Sequence, residues 1–244
     1  MLQEDPINSV AQLSERVEQY FKDDKSTTIL YRGHGAASFI LHPKAGRFNP
    51  PENSLSEEVN EKLMLELFRR RSVDHSQIAD ADDWELLAIA QHHGLATRLL
   101  DWTRSPLVAL YFAVCFECET RSKGENDEGR PLREDAEILA WRCPKIDLTK
   151  PLPKSPFEIT QVERYIPRIV TPRLRVQQGV FTVHPNPREE FSPTTREFFR
   201  IPIPFENRKQ IKNSLFRHGI HEEVLFPDLD GLARHIQWCQ TKSY

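Results

Sequence analysis

Reactive side chains are concentrated in one stretch, Gln91-His92-His93-Gly94-Leu95-Ala96-Thr97-Arg98-Leu99-Leu100-Asp101-Trp102-Thr103-Arg104-Ser105-Pro106. Two His, two Arg, one Asp, two Thr and a Trp share what reads as a single short connection, which passes straight into the apolar run Leu107 to Ala113. A polar loop held on the end of a buried helix is where a positioned site would sit. A second candidate is Arg32, followed by Gly33-His34-Gly35. Glycine carries no side chain to clash, so backbone or ligand can come close to the guanidinium. Arg is suited to phosphate because its planar fork makes two-pronged contacts that Lys does not. Both features also have a purely structural reading. Arg98, Asp101 and Trp102 could brace one another as a knot, and Arg32 could pair with Asp101 at a buried bend, since unpaired buried charges are rare.

The elements that must hold these groups follow from periodicity and capping. Ser105 can cap a helix whose first residue is Pro106, and Leu107, Leu110, Tyr111, Val114 and Cys115 recur at spacings of three and four, predicting one buried face. Thr27 to Tyr31 reads as a buried strand delivering Arg32 at its end. Ser9-Val10-Ala11-Gln12 has the form of a capping box ahead of a stripe of Leu13, Val17, Tyr20 and Phe21. A similar box at Ser54-Leu55-Ser56-Glu57 predicts a helix with Leu55, Val59, Leu63 and Leu67 on one face. Asp82 or Asp83 is expected to cap a helix from Trp84 to about Gln91. Strands are expected at Ala136 to Trp141, after Gly179, at Phe198 to Ile203 and at Ile220 to Phe226. Asn207 to His218 is expected to be a helix stopped by Gly219, and Leu229, Leu232, Ala233 and Ile236 mark a closing helix. Residues 121–135 read as a mobile excursion, and Pro144 to Pro156 as an extended connector. The irregular alternation predicts an α+β fold, a single mixed domain over 1–244 with an N-terminal helix within 1–26 and a mainly antiparallel split sheet with flanking helices.

Composition narrows the function classes. The chain has 244 residues, an ordinary apolar share and 14 Phe, so it can bury a full core. No apolar run approaches the roughly 20 residues of a membrane span, and the start at Met1 has no secretory character, so a cytoplasmic protein with no membrane partner is expected. Four scattered Cys lack zinc-site spacing, so no metal is expected. The net charge of −3 is unevenly spread. Residues 52–85 hold 10 acidic and 4 basic residues, and residues 163–217 hold 11 basic and 5 acidic. The basic segment, with Arg173 and Arg175 ahead of a strand, could attract nucleic acid or a phosphate-bearing ligand, or pair with the acidic segment.

Tyr31-Arg32-Gly33 resembles the F/Y-R-G signature of the FRG domain family. Gln91 to Ala113 resembles that family's longest block, and Gln178 to Phe181 and Leu225 to Ala233 resemble its later ones. A second resemblance is to ADP-ribosyltransferases of the Arg–Ser–Glu type. Their order is matched by Tyr31-Arg32-Gly33, then Thr103-Arg104-Ser105, then Glu222-Glu223-Val224-Leu225-Phe226-Pro227. His221 stands where transferases acting on Arg side chains have Glu or Gln, which argues against arginine as acceptor.

The second resemblance implies an NAD-dependent ADP-ribosyltransferase with NAD as co-substrate, a toxin-like or phage-defence effector. Transfer breaks the nicotinamide–ribose bond of NAD with oxocarbenium character. Glu223 on a strand would stabilise that charge, and Arg32 at its glycine-opened strand end would hold the diphosphate. Gly33, Thr97 or Thr103, Arg98, Asp101, Trp102 or Tyr111, and His92 would complete the NAD site. The acceptor implied is RNA or DNA, bound through Arg173 and Arg175, and a toxic enzyme implies an antitoxin or inhibitor protein. The alternatives are a non-catalytic nucleic-acid or nucleotide-binding module, and a protein-interaction domain whose central block is structural. A nuclease using His92 and His93 ranks last.

Overall fold

A computed structural model of the chain describes residues 2–21, 27–50, 52, 60–72, 74, 80–115, 134–168, 171–193 and 197–241. Its frame is one seven-stranded sheet in the order β1-β7-β4-β2-β3-β6-β5. The strands are β1 (Leu2–Gln3), β2 (Thr27–His34), β3 (Leu99–Thr103), β4 (Ala136–Pro144), β5 (Glu163–Tyr165), β6 (Gly179–Val183) and β7 (Phe198–Ile203). Every pairing is antiparallel except that of β1 with β7. The pairing is uneven. β2 is matched to β4 along its whole length, from Thr27↔Pro144 to His34↔Glu137, and β3 is matched to β6 along its whole length. Between β2 and β3 there is one register pair, Tyr31↔Thr103. The sheet is therefore two ladders joined at one point, and beyond that point the strands part.

The helices are α1 (Val10–Phe21), α2 (Glu61–Arg71), α3 (Asp83–His92), α4 (Pro106–Val114), α5 (Pro172–Val176), α6 (Arg208–Arg217), α7 (Glu222–Leu225) and α8 (Leu229–Thr241). Several expected caps are made. Ser9 Oγ accepts from Gln12 N at 3.3 Å, Asp82 Oδ1 from Glu85 N at 2.9 Å, and Ser105 Oγ from Val108 N at 3.3 Å, with Pro106 beginning α4. Gly219, at φ +75°, closes α6, where Ile220 N bonds back to Leu215 O at 2.9 Å. The core spans both sheet faces. Ile29, Tyr31 and Ile138 pack with α4 on one side, while Leu30, Leu100, Trp102 and Phe198 pack together on the other.

Four expectations change. Residues 99–103 are a strand and not part of a loop; every residue of β3 but Asp101 is buried, so the alternation that marks a half-exposed strand is absent. α4 is buried nearly all round rather than on one face, because it lies between the sheet and the helices α1 and α6. On α2, Leu65 faces inward while Leu63 and Leu67 are exposed. Leu55, Val59 and the capping box at 54–57 lie outside the described residues, as does most of the excursion at 121–135. The expected strand at Ile220 to Phe226 is instead the single-turn helix α7, closed by Leu225 N to His221 O at 3.0 Å and Phe226 N to Glu222 O at 2.8 Å. Glu222 and Glu223 in its first turn complement the helix dipole, and Gly219 and Pro227 leave only a few residues between breakers.

Candidate functional site

A cavity of about 670 Å³ opens where β2 and β3 part. Arg32 follows directly on the single pair Tyr31↔Thr103 and bridges the widening gap. Its Nη1 donates to the Asp101 carbonyl at 2.6 Å and lies 3.9 Å from Asp101 Oδ2. On its other side, Arg32 Nε donates to His34 Nε2 at 3.2 Å. His34 therefore carries its proton on Nδ1, which faces Glu137 Oε1 at 3.4 Å, and Glu137 is gripped by Arg200 Nε at 2.6 Å. This chain fixes the Arg32 fork from behind. Burial pushes the His34 pKa down, so the ring stays neutral and can accept from the guanidinium.

Gly33 explains why the strand can carry Arg32 here. A Cβ at that position would lie 2.0 Å from Ala109 O and 2.5 Å from Ala113 N. α4 thus rests backbone to backbone on β2, and the close approach that glycine permits is taken by a helix. Asp101, with its side chain 60% exposed, receives Gln91 Nε2 at 3.0 Å. Gln91 is itself held by the Thr97 hydroxyl.

Three further cations line the same cavity: Lys44, Arg47 and Arg173. Lys44 Nζ donates to Gly94 O at 2.8 Å, and Arg47 Nη2 to His42 O at 2.9 Å. Burial lowers the Arg32, Arg47 and Arg173 pKa values, and the Asp101 carboxylate opposes that shift in each case. An Arg titrates so high that all three stay charged. His92 also lines the cavity, kept neutral chiefly by burial. Among the described lining residues, four cations face one carboxylate, Asp101. Such a cavity suits an anion, and its size lies within the range of small-molecule and cofactor sites.

The expected site residues divide. Arg32, Gly33, His92, Asp101, Thr103 and Arg173 all line the cavity. The Thr103 hydroxyl is already engaged, donating to Gln177 O at 2.6 Å and accepting from Ser105 N at 3.0 Å. Trp102 borders the cavity, but its ring lies in the core on the far face, with Nε1 donating to Thr182 Oγ1 at 3.0 Å. Successive strand residues point to opposite faces, and Asp101 takes the exposed one.

Thr97, Arg98 and Tyr111 are not among the described residues that line this cavity. Thr97 is buried and braces Gln91. Arg98 forms a buried ion pair with Glu61 at 2.9 Å and stacks over the Phe157 ring at 4.6 Å. Tyr111 is buried in the core, and its neighbour Phe112 lines the cavity instead. Arg175 is exposed on α5 and lies outside the lining.

Glu223 is the largest correction. It sits on α7, half exposed, with Oε2 3.5 Å from His235 Nε2, and does not join Arg32 in the cavity. The helical turn withdraws the carboxylate that a strand would have carried. Sequence reading missed Lys44, Arg47 and Gln91 as lining residues. Lys44 and Arg47 fall in a single 3₁₀ turn, Lys44–Arg47, whose spacing places both charges on one side.

The charge asymmetry resolves partly within the molecule. Arg168 of the basic segment bonds Asp82 Oδ2 at 2.7 Å and Glu85 Oε1 at 2.8 Å in the acidic one. No helix among the described residues is long and apolar enough to cross a membrane.

Against known proteins, no curated protein and no solved structure matches the chain. A family model does match, over residues 27–122. That span contains β2 with Arg32 and Gly33, the 3₁₀ turn with Lys44 and Arg47, α3 with Gln91, β3 with Asp101, and α4. Most of the cavity's polar wall therefore lies within the segment, residues 27–122, that matches the FRG domain family model.

Proposed function

We propose that the chain binds a phosphate-bearing nucleotide, with NAD the first ligand to test, in the cavity between β2 and β3. The observation that carries this reading is the convergence of Arg32, Lys44, Arg47 and Arg173 on one cavity with a single carboxylate among the described lining residues. A diphosphate offers charge for several of these groups at once, and the fixed Arg32 fork supplies two-pronged geometry. Phe112, Leu95 and Phe39 provide apolar wall for a base. Thermal unfolding with NAD, ADP and nicotinamide tests the reading, because a ligand that binds only the folded state raises Tm. NAD and ADP are expected to raise it and nicotinamide is not. A Tm unmoved by every phosphate-bearing nucleotide overturns the proposal.

The position of Asp101 favours a second, catalytic reading, ADP-ribosyl transfer from NAD. Asp101 is the carboxylate beside Arg32, held by Gln91 and open to the cavity. In this reading the electron pair of the nicotinamide–ribose bond leaves with nicotinamide, and Asp101 stabilises the positive charge developing at the ribose carbon. An acceptor nucleophile, a nucleic-acid base or a protein side chain, forms the new bond and releases its proton to water. A toxin-like or phage-defence role, with a neutralising partner, would follow from such an activity. Nicotinamide release that is lost in Asp101→Asn and kept in Glu223→Gln supports this reading. The reverse pattern returns the role to Glu223.

A further inference from the structure

Away from the cavity, α7 and α8 bring two imidazoles and a carboxylate together. One ligand atom each from His221, Glu223 and His235 lies within 4.8 Å of the other two. The His221 and His235 rings are stacked with centroids 4.3 Å apart and planes 23° from parallel. His221 Nδ1 is buried with no hydrogen-bond partner. Leaving a buried polar atom unpaired is costly, so such an atom calls for an explanation.

The neighbouring groups are engaged elsewhere. Glu222 receives Arg234 Nε at 2.9 Å, and Lys212 lies over the Trp238 ring at 5.4 Å. Glu223 is left facing His235. Cys239 Sγ lies 3.6 Å from the same His235 Nε2 but is not part of the three-residue cluster.

We propose that His221, Glu223 and His235 hold one divalent transition-metal ion of the zinc class, fastening α8 to α7. Two neutral imidazoles and a carboxylate are a recurrent zinc donor set, with bonds of about 2.0–2.2 Å. Ligand atoms around such an ion stand about 3–3.5 Å apart, so the 3.5 Å between Glu223 Oε2 and His235 Nε2 already fits. α8 has reason to need the clasp. Leu229 is 82% exposed, Leu232 and Ile236 also face outward, and Gly231 is its one fully buried residue.

The test is titration of the chelator-treated full chain with Zn²⁺ by calorimetry and with Co²⁺ by visible absorption. One equivalent is expected to bind, with the absorption of tetrahedral cobalt and a rise in Tm. Glu223→Gln, a change at a half-exposed side chain, keeps the fold testable. Loss of an outer partner alone costs metal affinity about 10–100-fold, so Glu223→Gln and His221→Gln are each expected to cost at least about a hundredfold. His218→Gln, at the exposed His that follows the last residue of α6, is expected to bind like the parent. No binding by the parent, or equal binding by parent, Glu223→Gln and His221→Gln, overturns the site and leaves a stacked aromatic cluster only.

Discussion

Replacing Gly33 by Ala tests the packing on which the cavity depends. The added methyl would meet Ala109 O at 2.0 Å, Ala113 N at 2.5 Å and Phe112 C at 3.0 Å, all backbone atoms of α4. No side-chain rotation relieves such a clash, so β2 or α4 must withdraw by more than an ångström to restore ordinary contact. α4 has little room to retreat, since Leu110, Ala113 and Val114 are fully buried against neighbouring elements. Overpacking a core usually costs about 1–3 kcal/mol and occasionally more, and a backbone clash on both sides places Gly33→Ala at about 3 kcal/mol or above. Urea unfolding would show this as a lower midpoint at unchanged slope. Because Arg32 adjoins Gly33 on β2, nucleotide affinity should fall in the same variant. Gly94→Ala is the comparison. Gly94 has φ +91° but nothing within 4 Å of an added Cβ, so it should lose only about 1–2 kcal/mol, from left-handed strain. A Gly33→Ala midpoint within about 0.5 kcal/mol of the parent would refute the claim that this glycine exists for helix contact.

Acid should destabilise the fold through His184. The ring is buried, bonded to Thr182 Oγ1 at 2.9 Å, and pushed down to about 4, first by burial and then by the Arg32 and Arg98 charges. The unfolded chain takes up the proton near 6.5 and the native state refuses it, so stability is full above that pH. It declines by about 3 kcal/mol as pH falls towards 4. Denaturant midpoints across this window should fall less steeply in His184→Gln, and an equally steep fall counts against the assignment. Arg98→Ala should destabilise the fold by removing the buried ion pair with Glu61 and the stacking on Phe157, while leaving nucleotide affinity in the surviving folded fraction unchanged. A ligand-specific loss without destabilisation would return Arg98 to the site. Asp101→Asn should tighten nucleotide binding, since it removes the cavity's carboxylate, and weaker binding in that variant would contradict the charge argument.

Much of the frame was legible in the sequence because local signals and tertiary context agree there. Ser105-Pro106 starts α4, Asp82 caps α3, and Gly219 ends α6. Arg32 was legible for the same reason, since a β-rich run ended at a glycine. The stretch 220–226 misled because Val224 and Phe226 suit a strand, whereas two breakers and two acidic residues in a first turn favour one helical turn. The resemblance to a transferase motif order rested on that strand, and Glu223 left the cavity with it. Thr97, Arg98 and Asp101 look alike as polar neighbours in sequence. Only the pairing of β3 with β6 shows that Asp101 reaches the cavity while Thr97 and Arg98 brace its surroundings. Lys44 and Arg47 were illegible as site residues because the fold of the loop after β2, and not their spacing alone, turns them inward.

The most direct measurement is the NAD dissociation constant of the parent chain and of Arg32→Gln, by calorimetry at one fixed salt concentration. A hydrogen bond to a charged group contributes about 1.5–3 kcal/mol, so removing the Arg32 fork should weaken binding about 10- to 150-fold. Equal affinity in the two proteins, or no heat from either, would mean that the opening between β2 and β3 is not a nucleotide site.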